Sequence, residues 1–461
     1  METSTFVERR KRLREMVPDG AILILGQAEA SRNYPANTYP FRQDSHFSYL
    51  TGVSAADLAL LILPDGQEAL LGPAEDPDDL VWHGPHPLLA DHARDAGIRA
   101  TGDVAALGTR VAELRAKGLK IHYLPPYRGE RALKLAAVLG KSADEAAAGA
   151  SRELARAVVG MRSIKTDREV AEIEKALEVS ATMYETAFLL VGEGRTEAEV
   201  AGAMQGVALS FDCQQSFAPI VSVHGEVLHN TSYAGTMRAG ELLLIDSGVE
   251  AAGTLYCSDI TRTLPVSGKF LPEQRALYEV VLAAHDAAIA LASPKVSNRD
   301  LHFAAARAIA AGLKDVGLMR GSTDDAVAAG AHALFFPHGI GHMLGLDVHD
   351  MEDLGDVVGY PEGEPRSKQF GLAFLRLAKS LSPGFVVTIE PGIYFVPALI
   401  DRWMNEKKHE AFICYDKVER FRAFGGIRLE DDLLVTAGGH RVLGPQIPIT
   451  VAEVEEAMRR A

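Results

Sequence analysis

Five acidic or imidazole side chains stand where the chain could do chemistry. Asp246 ends the apolar run Leu242-Leu243-Leu244-Ile245 and precedes Ser247-Gly248. Asp259 follows after a short interval and leads into Ile260-Thr261-Arg262-Thr263. His342 closes His338-Gly339-Ile340-Gly341-His342, and Glu390 ends Val386-Val387-Thr388-Ile389. Glu430 interrupts two apolar stretches, Ile427-Arg428-Leu429 and Asp431-Asp432-Leu433-Leu434-Val435. A carboxylate in an apolar strand is costly unless it is paired. Arg262 and Arg428 lie close in sequence, but two guanidiniums cannot neutralise four such acids. Two divalent cations would. Hard oxygen ligands with one imidazole suit Mn²⁺, Zn²⁺ or Co²⁺.

Taken singly, each residue has a plainer reading. A strand-end Asp is commonly a turn or cap residue, and a buried His is commonly a satisfied core residue. Asp431 and Asp432 read as a solvated strand end. His338 and His342 have the i, i+4 spacing of a zinc-protease helix, but no Glu follows His338 and glycines intervene, which excludes a helix there. The ordered set carries the inference.

These residues need elements to position them. Residues 1–157 read as an α/β domain, with short apolar runs at Ala21–Leu25, Leu58–Leu63 and Ala69–Leu71, each closed by turn residues. Val104–Leu119 is a helical stretch, and Ser142–Arg156 reads as one helix leading to a domain boundary. From 158 to 461 the pattern changes. Thr166-x-x-Glu169 and Thr196-x-x-Glu199 are capping boxes, each opening an amphipathic helix. A second pair starts at Pro272 and at Ser297-x-x-Asp300. Two helix pairs, each followed by apolar runs, suggest two duplicated α+β halves around one cleft.

Composition bounds the rest. The chain has 461 residues, 47% of them hydrophobic and 24% charged, which suits two or three globular domains. The net charge of −15 disfavours nucleic acid and anionic membranes as main partners. Cys213, Cys257 and Cys414 are too few and too scattered for a disulfide framework or a thiolate zinc site. The N-terminus lacks the apolar segment of a secretory signal, and no apolar run could span a bilayer. The expectation is a cytoplasmic protein. No P-loop or dinucleotide-binding glycine motif is present.

In order, these motifs resemble the pita-bread metallopeptidases of the aminopeptidase P and prolidase (Xaa-Pro dipeptidase) group. The resemblance runs through Val227-Leu228-His229, Ile245-Asp246-Ser247-Gly248 and Ser258-Asp259-Ile260-Thr261-Arg262. It continues in His338–Asp350, Thr388–Tyr394 and Gly426–Asp431, and upstream in Phe41–Phe47, Tyr49 and Thr51-Gly52. It implies an α/β N-terminal domain followed by an α+β pita-bread catalytic domain of the duplicated creatinase/aminopeptidase type. It also implies that Asp246, Asp259, His342, Glu390 and Glu430 hold two divalent ions, Mn²⁺ first and Zn²⁺ or Co²⁺ as alternatives. Asp259 and Glu430 would bridge them, and a hydroxide between them would attack the substrate. Glu390 would take the proton from that water. His229, His338 and His349 would bind substrate and stabilise the tetrahedral intermediate, and Arg428 would hold the carboxylates in place. Trp82 matches a tryptophan at the mouth of the active site, in some relatives contributed across subunits, and a homodimer or homotetramer is expected.

The implied substrates are small peptides with proline second. An Xaa-Pro bond has no N–H for a general peptidase to grip. Within the group, a dipeptidase must recognise the free proline carboxylate. Arg376, in Phe374-Leu375-Arg376, stands where prolidases carry such an arginine, and a guanidinium fork suits a carboxylate. The favoured reading is therefore Xaa-Pro dipeptidase. Xaa-Pro aminopeptidase acting on longer peptides is the alternative, and a non-catalytic peptide-binding protein is a remoter one. The Asp246–Asp259 interval is about two residues longer than is usual in the group. The loop before His229 is about two shorter and carries an added His224.

Overall fold

The computed structural model describes residues 1–74 and 78–459. The chain forms two compact units. The first comprises Met1–Arg162 together with Met351–Val357, and the second Ser163–Asp350 with Val358–Ala461.

The first unit is built on a five-stranded sheet. Its strands are β1 (Gly20–Leu25), β2 (Ala59–Ile62), β3 (Glu68–Gly72), β4 (Ala100–Asp103) and β5 (Lys120–His122), in the order β4-β3-β2-β1-β5. Every residue of β1 and β2 is buried, as a strand covered on both faces requires. The segment expected as one helix over Ser142–Arg156 is two, Ala143–Ala148 and Arg152–Arg162. Gly149 ends the first, where a Cβ would lie 2.5 Å from the Tyr123 hydroxyl. Ser151 starts the second by accepting from Leu154 N.

The second unit carries both helix pairs. Helices α1 (Asp167–Leu190) and α2 (Glu197–Ser210) start at the capping boxes of Thr166 and Thr196. Helices α3 (Pro272–Leu291) and α4 (Asn298–Asp315) start with a proline in the first turn and with the Ser297 box. α1 ends at Leu190, two residues ahead of Gly192. The strands between and after these pairs form small sheets. The first contains β6 (Ile220–Ser222), β7 (Leu242–Ser247) and β8 (Ile260–Pro265), with β7 central. β9 (Val386–Ile389) pairs with a later strand, and β10 (Gly392–Tyr394) pairs with β11 (Gly426–Arg428). β12 (Asp431–Thr436) lies between β9 and β13 (Gly439–Val442). Among the described residues, no helix is long and apolar enough to cross a membrane.

Candidate metal centre

The antiparallel register brings the acids together. β7 and β8 pair Asp246 with Thr261. Side chains directly opposite share a face, and so does the residue two positions along, which adds Asp259 to that face. The long interval between the two aspartates is taken up in the connecting turn, where Leu255 and Gly253 adopt positive φ. It leaves the register intact. Gly248 permits the close approach: a Cβ there would lie 1.8 Å from Ser258 O. An isolated bridge pairs Thr261 with Glu430, and Thr261 Oγ1 donates to Glu430 Oε2 at 2.6 Å. β9 and β12 pair Ile389 with Asp431, so the next step outward sets Glu390 beside Glu430.

His342 comes from a segment docked along β9. Thr388 N donates to His342 O at 3.0 Å, and Met343 bridges to Val387. Gly341 makes this possible, since a Cβ would stand 2.0 Å from Thr388 O. No helix forms between His338 and His342.

Asp246, Asp259, His342 and Glu430 are buried, and the Glu390 side chain is 19% exposed. Ligand atoms of Asp259, His342 and Glu430 all lie within 4.8 Å of one another. His342 Nδ1 donates to Met343 O at 3.0 Å, which fixes the tautomer. Nε2 therefore presents a lone pair, 3.4 Å from Asp259 Oδ2 and 3.9 Å from Glu390 Oε1. Acceptors facing acceptors at this range are what a cation between them would satisfy. Asp246 Oδ1, Asp259 Oδ1 and Glu430 Oε1 are buried without a hydrogen-bond donor. Burial pushes the Asp259 and Glu430 carboxyls well above the ordinary range, and each is raised further by neighbouring acids, Asp246 first for Asp259 and Asp259 first for Glu430. Burial raises Glu390 as well, against the pull of His342 and Arg428. The donor set fits divalent metal.

Around this set runs a polar chain. Arg428 Nη2 donates to Asp246 Oδ2 at 2.5 Å, and Nη1 to the Tyr394 hydroxyl at 3.0 Å. Tyr394 Oη lies 2.8 Å from His338 Nε2. Since His338 Nδ1 can only donate to Gly339 O, at 2.8 Å, Nε2 accepts from the phenol. Burial and the Arg428 charge push His338 down to about 3, so it is neutral near pH 7. His338 Nδ1 is also 3.8 Å from Glu390 Oε2. His229 sits on a turn, lowered by burial and then by Arg428 and Arg376. The His349 and His342 ring centroids are 4.2 Å apart.

One cavity of about 790 Å³ is lined by all five members of the acid–imidazole set, and by His229, His338, His349, Arg376 and Arg428. Trp82 belongs to the first unit, on the short helix Asp79–His83, and is 79% exposed. Asp431 and Asp432 are not a solvated strand end. Asp432 is fully buried and accepts from Asp259 N at 3.1 Å, and Asp431 pairs with Arg262 at 2.8 Å and His285 at 3.2 Å. Arg262 is thus engaged by Asp431, with Arg428 bonded to Asp246. Tyr394, Thr261 and Asp432 had no role assigned from sequence. Strand alternation alone could have placed Thr261 on the face shared by Asp246 and Asp259.

Fold and pocket together define a two-unit metallohydrolase, with an α/β unit ahead of a pita-bread catalytic unit. Residues 171–437 match metallopeptidase family M24, and residues 6–122 match the aminopeptidase P N-terminal domain. The chain belongs to the M24 metallopeptidases, in the aminopeptidase P and prolidase group. It is 32% identical over 449 residues to a probable Xaa-Pro aminopeptidase of Paracoccidioides brasiliensis, covering 93% of this chain and 91% of that protein. It is 32% identical over 469 residues to the Xaa-Pro dipeptidase of Homo sapiens, covering 97% and 91%. Among solved structures, Pseudomonas aeruginosa aminopeptidase PepP superposes with a TM-score of 0.81 at 28% identity, covering 100% of this chain and 98% of the other. Zinc-substituted Escherichia coli aminopeptidase P with product gives 0.82 at 26%, covering 100% and 99%.

Proposed function

We propose that this protein is an Xaa-Pro aminopeptidase that removes the N-terminal residue from peptides with proline second. The observation that carries the reading is the cavity in which four buried or half-buried acids and His342 converge beside His229, His338 and His349. Asp246, Asp259, His342, Glu390 and Glu430 would hold two divalent cations, Mn²⁺ first. When bound, such a pair supplies Lewis acidity at the scissile carbonyl and lowers the pKa of water towards neutrality.

The protein's own residues supply the rest. Glu390 is the most exposed carboxylate of the set whose pKa is raised by burial, which suits a group that takes a proton and returns it. The prolyl nitrogen needs that proton as the C–N bond breaks. His338, held neutral, commits its Nδ1–H to Gly339 O and its Nε2 to the Tyr394 hydroxyl, so it would shape the pocket wall and hold Tyr394 beside Arg428. His229 and His349 flank the same space and would orient the peptide. Arg428 would keep Asp246 and Tyr394 fixed during turnover.

A cavity of about 790 Å³ lies in the upper part of the range for small-ligand sites, and so has room beyond a dipeptide. The names of the fungal and bacterial relatives point the same way. A second reading, Xaa-Pro dipeptidase, is favoured by Arg376, whose half-buried guanidinium lines the cavity, and by the likeness to the human dipeptidase. After Mn²⁺ reconstitution, Xaa-Pro-Yaa tripeptides should be cleaved with a higher kcat/KM than the matching Xaa-Pro dipeptides. Cleavage of dipeptides alone would overturn the first reading in favour of the second.

A further inference from the structure

The segment after His342 has neither helix nor strand, yet it must hold His349 steady. Its hydrogen bonds converge on Asp350. Asp350 N donates to Met343 O at 2.9 Å, and Asp347 N donates to Asp350 Oδ1 at 3.4 Å. Gly345 leaves room for the carboxylate, since a Cβ there would lie 2.4 Å from Asp350 Oδ2. Gly345 O accepts from Cys257 N at 2.8 Å, which ties the loop to the strand entering Asp259. The loop is thus folded around one carboxylate, and His349 is the residue before it.

That carboxylate is met by Lys165. Lys165 Nζ donates to Asp350 Oδ2 at 2.9 Å, and both side chains are 1% exposed. Lys165 is itself fixed, its N donating to Gly384 O at 2.8 Å. The pair stands just after the chain enters the second unit at Ser163 and just before it leaves at Asp350. A buried ion pair is a weak source of net stability, because desolvation offsets most of its attraction. Its better-attested use is to select one conformation.

We propose that Lys165 is a positioning residue that sets the orientation of His349 through Asp350. This rests on the reading above that His349 orients the substrate. Lys165 touches no substrate and acts only through the loop.

The test is a double-mutant cycle on the full-length, metal-loaded chain with an Xaa-Pro-Yaa substrate. Lys165→Met should lower kcat by about tenfold, as small misplacements do, with KM changed less than about twofold. In a His349→Ala background the same substitution should cost nothing further. Lys165→Arg should restore part of kcat. Lys165→Met with Asp350→Asn removes both charges of this pair together. It should fold with little change in melting temperature and still show the loss. In the zinc-loaded protein, the imidazole NMR signal absent from His349→Ala should shift in Lys165→Met, a readout that needs no turnover. A loss that multiplies with that of His349→Ala, an unmoved signal, or wild-type kcat in the paired variant would each overturn the proposal. A wild-type chain that cleaves no Xaa-Pro-Yaa peptide would instead defeat the functional reading, leaving the NMR result to decide the positioning.

Discussion

Asp246 and Arg428, from β7 and from the end of β11, meet in a 2.5 Å hydrogen bond between Nη2 and Oδ2 in the wall of the cavity. The same guanidinium reaches Tyr394 and Thr261, so one cation organises three groups around the acids. Breaking a buried pair by removing one partner typically costs about 3–5 kcal/mol. Arg428→Met should therefore destabilise the metal-free protein by roughly that amount in urea unfolding, and less after metal loading, when cations would share the charge of Asp246.

Metal-free stability should depend on pH in an unusual sense. Asp259, Glu430 and Asp432 have folded-state pKa values raised by burial above those of the unfolded chain. Between the two values the folded chain holds more protons, so these groups reduce stability as pH rises through that window. Cations held by Asp259 and Glu430 would displace the protons of those two groups and remove their share of the penalty, leaving that of Asp432. The melting-temperature difference between metal-loaded and chelator-treated protein should widen as pH rises above the ordinary carboxylate range. A constant difference would show that the carboxyls are not the metal's ligands.

A second titration acts in the opposite direction and away from the centre. His302 and His332 are buried side by side, ring centroids 6.1 Å apart, and burial pushes them down to about 3 and about 4. Histidines lowered on folding favour the folded state above their ordinary value of 6.5, and that contribution is lost as pH falls below it. His302→Phe should flatten the acid limb of the stability profile by ~2–3 kcal/mol at pH 4. Chemical denaturation at pH 7 and pH 4 measures it.

Arg376 separates the two substrate readings. If its guanidinium receives a free proline carboxylate, Arg376→Ala should raise KM for Xaa-Pro dipeptides at least tenfold more than for Xaa-Pro-Yaa tripeptides. Equal effects on both would remove the dipeptidase reading.

Much of the site was legible because it is written locally. Asp246 and Glu390 close apolar runs, Asp259 opens one and Glu430 interrupts one, and a period of two fixes which face each takes once the register is known. The capping boxes at Thr166, Thr196 and Ser297 marked their helix starts for the same reason. What stayed hidden depends on contacts distant in sequence. Asp432 resembles any polar strand end until β12 is seen in the core, with its carboxylate under Asp259 N. Arg262 could not be assigned to Asp431 rather than to a site acid without the fold. Lys165 sits in a linker and Asp350 in an irregular loop, and no periodicity links them. The break between Ala143–Ala148 and Arg152–Arg162 shows the remaining weakness, which lies in where elements end.

The central claim is that Asp246, Asp259, His342, Glu390 and Glu430 hold a pair of cations. Metal content per chain, measured by mass spectrometry after Mn²⁺ loading and gel filtration, tests it most directly when wild type and Asp259→Asn are compared. Two ions per wild-type chain, with at least one lost in the variant, is the predicted result. No bound manganese, or a content that Asp259→Asn leaves unchanged, would contradict it.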